Sequence, residues 1–86
     1  MDFKKIKKAY AENNIVGARL RQARKTRKWS QRELAKRADF VESAISHFES
    51  GRRVPTLFNF IKLALALKFS TQFLSGIPGD SIWRDQ

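Results

Sequence analysis

Residues 39–56 read "DFVESAISHFESGRRVPT". At about 100° per residue, a helix over residues 41–50 gathers Val41, Ala44, Ile45 and Phe48 on one side. Ser43, Ser46, His47 and Ser50 fall together on the other, with Glu42 and Glu49 on the boundary. The apolar side is expected to enter a core. Gly51 follows as a stop, because glycine takes the left-handed conformation that ends helices at little cost. The outward side is small, polar and able both to donate and to accept hydrogen bonds. Such a face is either solvated or laid against a polar ligand, and its surroundings decide between the two.

Upstream, "SQRE" at residues 30–33 opens a helix. Ser30 can cap the first turn, and Glu33 can reach back to the Ser30 N–H, forming a capping box. Leu34, Ala35 and Ala38 face inward, and the paired alanines allow another helix to approach closely. A turn at "ADF" separates this helix from the one over 41–50. Before both, residues 15–26 form a first helix with Asn14 as its N-cap. Val16, Leu20 and Ala23 make its stripe, and Arg19, Arg21, Arg24, Lys25, Arg27 and Lys28 crowd its other faces and its end.

Downstream, Thr56 caps a helix over residues 57–68, and Ser70 caps a short one at "TQFL". The core side of the longer helix is assigned to Leu57, Phe60, Ile61, Ala64 and Leu67. Phe58 and Leu65 are left on another face with Lys62 between them. Strand-like alternation is nearly absent, so the chain is expected to be all-α. Three segments are expected: residues 1–13 as a basic arm or short extra helix, 14–75 as the folded domain, and 76–86 as a tail. In the first, Phe3, Ile6 and Tyr10 share a helical face among Lys4, Lys5, Lys7 and Lys8. The tail carries two stray apolar residues, Ile82 and Trp83.

The chain has 86 residues, enough for one small core. It holds no cysteine, which excludes disulfides and thiolate metal sites, and with one histidine a His-based metal site or catalytic triad would need unusual help. No nucleophile–base grouping and no phosphate loop occur, so neither an enzyme nor a cofactor is expected. The net charge is +10, and it is uneven. Residues 1–53 hold 15 Lys/Arg against 6 Asp/Glu, whereas residues 54–86 hold 3 against 2. A basic part beside a near-neutral part suits a polyanion on one face and something else on another. Nucleic acid is the leading polyanion. A membrane is not expected, since no apolar run approaches the roughly 18 residues of a spanning helix.

A short capped helix, a tight turn and a second helix with a polar outer face and cations beyond it form the layout of a helix-turn-helix. Residues 15–75 resemble the lambda-repressor-like, XRE-type helix-turn-helix family. The resemblance rests on "RLRQAR", "SQRELA", "AISHFESGRRVPT" and "IKLALAL" followed by "ST" and "FL". It implies a compact bundle of five helices whose second and third form the DNA-reading unit. It also implies a cytoplasmic, bacterial or phage-encoded protein associated with the nucleoid.

By the same resemblance, Glu42, Ser43, Ser46 and His47 contact bases. Gln31, Arg32, Ser50, Arg52, Arg53, Arg27 and Lys28 contact phosphates. Gln31 is further expected to steady Glu42. Glu42 stands where the family often has glutamine. It is either an acceptor for cytosine N4 or an anion stabilising the helix start. Arg24 and Glu49 match an ion pair that joins the first helix to the third. The pair is either purely structural or also lets Arg24 lean towards a phosphate. Val41 departs from the family's usual capping Ser or Thr, and Lys28, Asp39 and Lys68 stand where glycines are common.

Taken together, the expected function is a sequence-specific duplex-DNA-binding regulator, a repressor that occupies promoter DNA as a homodimer on an inverted repeat. Phe58, Leu65 and Trp83 are the expected dimer or partner surface. The competing role is an antitoxin or a bridging module that turns this surface to a different protein. RNA or membrane binding through "KKIKKAY" leaves the helix-turn-helix layout unexplained.

Overall fold

A computed structural model describes residues 2–5 and 14–76. Trp83, Ile82, Ile6 and Tyr10, and with them the expected roles of the tail and of most of the arm, lie outside the described residues. Five helices follow Asn14: α1 Ile15–Thr26, α2 Gln31–Ala38, α3 Glu42–Ser50, α4 Leu57–Leu67 and α5 Thr71–Ser75. Residues 3–5 add a single exposed helical turn. No strand occurs among the described residues, and no described helix is long and apolar enough to cross a membrane.

Local chemistry accounts for most boundaries. Ser30, Thr56 and Ser70 have extended backbones, and their hydroxyl oxygens accept from the N–H of Glu33, Asn59 and Phe73. Only half of the expected capping box forms. The Glu33 carboxylate turns instead to Arg37, whose Nε donates to Oε1 at 2.8 Å. Arg37 also lies 4.4 Å over the Trp29 ring. Lys28, Asp39 and Lys68 all have positive φ, at 63°, 60° and 58°. Each closes a helix or turn where a glycine would be least strained.

Asn14 is the N-cap residue of α1, as expected, and its carbonyl accepts from the Ala18 N–H at 3.0 Å, but with positive φ, at 47°, its side chain makes no capping bond. A capping side chain needs an extended backbone to fold over the first turn. From the left-handed conformation the Asn14 amide turns away, and its Nδ2 donates to the Glu49 carbonyl at 2.8 Å. Gly17 makes room for it, since a Cβ at Gly17 would stand 2.4 Å from Asn14 Oδ1 and 2.5 Å from the Phe48 carbonyl.

The core is built by Leu20 and Ala23 of α1, Leu34, Ala35 and Ala38 of α2, Ile45 and Phe48 of α3, Leu63, Ala64 and Leu67 of α4, and Leu74 of α5. Helix α3 packs between α1 and α2, α4 closes over α2, and α5 packs on α1 and α4. Phe40 meets Phe48 edge-on at 5.6 Å, which seats the α2–α3 turn on the third helix.

Two core assignments are corrected. Val41 is 69% exposed. It precedes the first helical residue and is extended, so a helical angle does not apply to it. In α4, Leu57 and Ile61 are exposed, and Leu63, assigned no inward role, is fully buried. The sequence "LFNFIKLALAL" is apolar nearly all round. Periodicity therefore does not say which of its stripes faces in. Packing selects Phe60, Leu63, Ala64 and Leu67 and leaves Leu57, Phe58, Ile61 and Leu65 outside.

Candidate nucleic-acid interface

The third helix is held by a buried carboxylate. Glu49, at the last turn of α3, is almost wholly enclosed. Arg24 of α1 donates to it twice, Nε to Oε2 at 2.7 Å and Nη2 to Oε1 at 3.0 Å. Such a two-pronged pair fixes angle as well as distance. Arg24 Nη1 also donates to the Trp29 carbonyl at 2.8 Å, so one guanidinium ties α1, the α1–α2 turn and α3 together. No buried side-chain nitrogen or oxygen lacks a partner among the described residues.

Gln31 joins this cluster. Its Nε2 donates to Glu49 Oε1 at 3.2 Å. The expected partner was Glu42, at the other end of α3. The Gln31 side chain is instead directed along the α2–α3 seam to the buried carboxylate. Around the cluster lies an open depression of about 250 Å³ lined by Arg21, Arg24, Gln31, Ser46, Glu49 and Ser50. Arg21 was counted among the crowding cations of the first helix and given no role. Only the tertiary arrangement sets it beside the outer face of α3.

Along that face Glu42 and Ser43 are exposed, Ser46 and His47 are half-buried, and Ser50 is exposed. Polar residues of α3 therefore share a surface while Ile45 and Phe48 hold its back to the core. Arg52 and Arg53 follow, both exposed. Two main-chain N–H groups at this corner are satisfied internally. Arg53 N–H donates to the His47 carbonyl at 3.2 Å, and Arg52 N–H donates to Ser50 Oγ at 3.4 Å. The corner also presents two guanidinium groups. That of Arg53 stands 6.0 Å over the Phe48 ring.

The other cations divide. Arg32 and Lys36 are exposed on α2, and Lys28 is exposed in the α1–α2 turn. Arg27 is engaged elsewhere. Its Nε donates to the Leu67 carbonyl at 2.7 Å, its Nη2 to the Lys68 carbonyl at 3.2 Å, and the group lies 4.8 Å over Phe69. It fastens α1 to the end of α4, and the residue stays exposed. Lys62 does similar work at the opposite corner. Its ammonium donates to the Asp39 carbonyl at 3.2 Å and stands 4.3 Å over Phe40. Phe58 and Leu65, 71% and 73% exposed, lie with Leu57 and Ile61 in one apolar stripe along α4.

Comparison with known proteins agrees with this architecture. The family model of a helix-turn-helix domain matches residues 17–75. Among solved structures, the restriction-modification controller protein C.AhdI from Aeromonas hydrophila is 32% identical, with a TM-score of 0.71. The match covers 76% of this chain and 96% of that one. Comparison with the curated proteins finds no match. With its α2–turn–α3 unit, its five-helix packing and these two matches, the chain belongs to the lambda-repressor-like, XRE-type helix-turn-helix family of DNA-binding transcription regulators.

Proposed function

We propose that the chain is a sequence-specific regulator that binds duplex DNA as a homodimer, with α3 in the major groove. The observation that carries this is the outer face of α3. It is polar, presented to solvent, fixed from behind by the Arg24–Glu49 pair and bordered by exposed cations. Glu42, Ser43, Ser46 and His47 are its base-reading residues. The Glu42 carboxylate is the acceptor of the set, suited to the amino group of cytosine N4. Arg21, Lys28, Arg32, Ser50, Arg52, Arg53 and Gln31 supply phosphate contacts. These give most of the affinity and make it fall steeply with salt.

The apolar stripe of α4 supplies the dimer contact. Exposed apolar residues in a row mark an interface more often than a bare surface. Pairing there sets two copies of α3 one DNA turn apart, roughly 34 Å, so the operator is an inverted repeat. Likeness to a restriction-modification controller protein supports transcriptional control as the role. Repression by occupying promoter DNA in the cytoplasm is the form proposed.

Selection from random duplexes at near-physiological salt tests this. The expected outcome is an enriched inverted repeat with half-site centres about 10 base pairs apart. Binding without any enriched sequence, vanishing as salt rises, would reduce the interaction to non-specific electrostatics. A single enriched half-site would turn the α4 stripe over to a different protein, as in an antitoxin or a bridging module. Co-purification of a distinct partner would then identify it.

A further inference from the structure

The start of α3 breaks a local rule that its neighbours keep. Helices α2, α4 and α5 each begin with a hydroxyl side chain that accepts a first-turn N–H. Val41 holds that position in α3, with the same extended backbone (φ −76°, ψ 151°) and no side-chain cap. A serine would fit this backbone and cap the helix. Packing does not account for the valine either, because 69% of it is exposed. The side chain serves neither the helix nor the core.

Its surroundings indicate what it serves. Val41 stands on the rim of an open depression of about 530 Å³ between α2 and α3, shared with Arg32, Lys36, Phe40 and Glu42. Glu33 also lines it, with its carboxylate held by Arg37, while Arg32 and Lys36 are exposed cations, and a rim so charged disfavours an apolar protein partner. Val41 also directly precedes Glu42 and Ser43, the first outward residues of α3. In helix-turn-helix proteins the leading residues of this helix reach the base edges. In the major groove the bases present one apolar group, the C5-methyl of thymine.

We propose that Val41 is a specificity residue that reads a thymine in each half-site by packing its isopropyl group against the thymine methyl. This rests on α3 entering the major groove as proposed above. It adds a base position that the polar residues of α3 do not supply. Because Val41 and Glu42 are consecutive, the thymine and the cytosine read by Glu42 lie in adjoining base pairs. Val41 forgoes its cap so that an apolar surface meets the methyl.

The test uses the selected operator and replaces each thymine in turn by uracil, which removes the methyl and nothing else. For the full chain, affinity is expected to fall about fourfold at one position per half-site, the value of one buried methyl-sized group. Val41→Ser retains a capping hydroxyl and removes the isopropyl. It is expected to bind the thymine and uracil operators alike at that position while keeping the remaining preferences. The inference fails if specific binding shows no methyl-sensitive thymine. It fails equally if the uracil penalty is unchanged in Val41→Ser, since another residue then reads the methyl. A change in oligomeric state in Val41→Ser, with an unaltered uracil penalty, would assign the valine to a protein contact instead. Loss of sequence-specific DNA binding in the unaltered chain would overturn the underlying function itself, so the two failures are distinct.

Discussion

At the scale of the residue, Glu49 shows how a charge is kept inside so small a domain. Burying a carboxylate is costly unless each oxygen is met by a donor. Oε2 receives Arg24 Nε, and Oε1 receives both Arg24 Nη2 and Gln31 Nε2. All three partners are donors. A glutamine at this position therefore has to turn an N–H₂ towards an N–H, and it repairs little. Glu49→Ala and Glu49→Gln are both expected to cost about 3–5 kcal/mol, the usual penalty for breaking a buried pair. Urea unfolding would measure it. Set against a total of roughly 5–15 kcal/mol for a typical domain, that loss leaves the fold marginal. The Arg37–Glu33 pair is a built-in control. It has nearly the same distance, 2.8 Å, but side chains 51% and 38% exposed. Glu33→Gln should cost no more than about 0.5 kcal/mol. Equal losses at the two positions would show that the burial of Glu49 carries no energetic weight.

At the scale of the element, the proposed function assigns α3 and the corner after it different parts of the binding energy. His47 lies on the outer face of α3 with Ser43 and Ser46, whereas Arg52 belongs to the exposed corner beyond Gly51. His47→Ala is expected to relax base preference at one position by about 1–3 kcal/mol, with little change in salt dependence. Arg52→Ala should weaken all sequences alike and lower the salt slope by about one. Binding to operator variants across a salt series separates the two, and identical behaviour of the mutants would refute the division. These elements were largely legible in the sequence because their signals are local. Hydroxyl caps at Ser30, Thr56 and Ser70, the stop at Gly51 and the periodicity of Leu20, Leu34, Ile45 and Phe48 each act within a few residues. What was not legible depends on partners distant in the chain. Asn14 looks like a side-chain cap until Glu49, 35 residues away, claims its amide. Arg27 looks like one more free cation until the end of α4 takes it. Arg21 gains a neighbourhood only when α1 packs on α3. Leu57 and Leu63 are the same residue type on one apolar helix, and only the packing of α4 over α2 decides which of them is buried.

At the scale of the whole molecule, the proposed function requires the outer face of α3 and the apolar stripe of α4 to act together. A single α3 spans only a few base pairs, so a long operator requires two copies held in register. Lys62 links the two regions within one chain. Its ammonium is bonded to the Asp39 carbonyl in the α2–α3 turn and stands 5.9 Å over the Phe58 ring in the stripe. The dimer contact proposed at Phe58 thus lies one side chain away from the α2–α3 turn. Phe58→Asp places a carboxylate on the stripe, where pairing would have to bury it against apolar side chains of the other copy. The side chain is 71% exposed in the single chain, so the substitution leaves the core and the fold intact. The expected result is a folded monomer by sedimentation, with an unchanged helical circular dichroism spectrum. On a single half-site it should bind as the unaltered chain's monomer does. On the inverted repeat it should lose the gain from linked half-sites, which typically reaches about 10²–10⁴-fold. Retention of the dimer in Phe58→Asp would place the two-fold contact away from α4. The stripe would then be free for a different protein, and the spacing of the two copies of α3 would be set by another part of the chain.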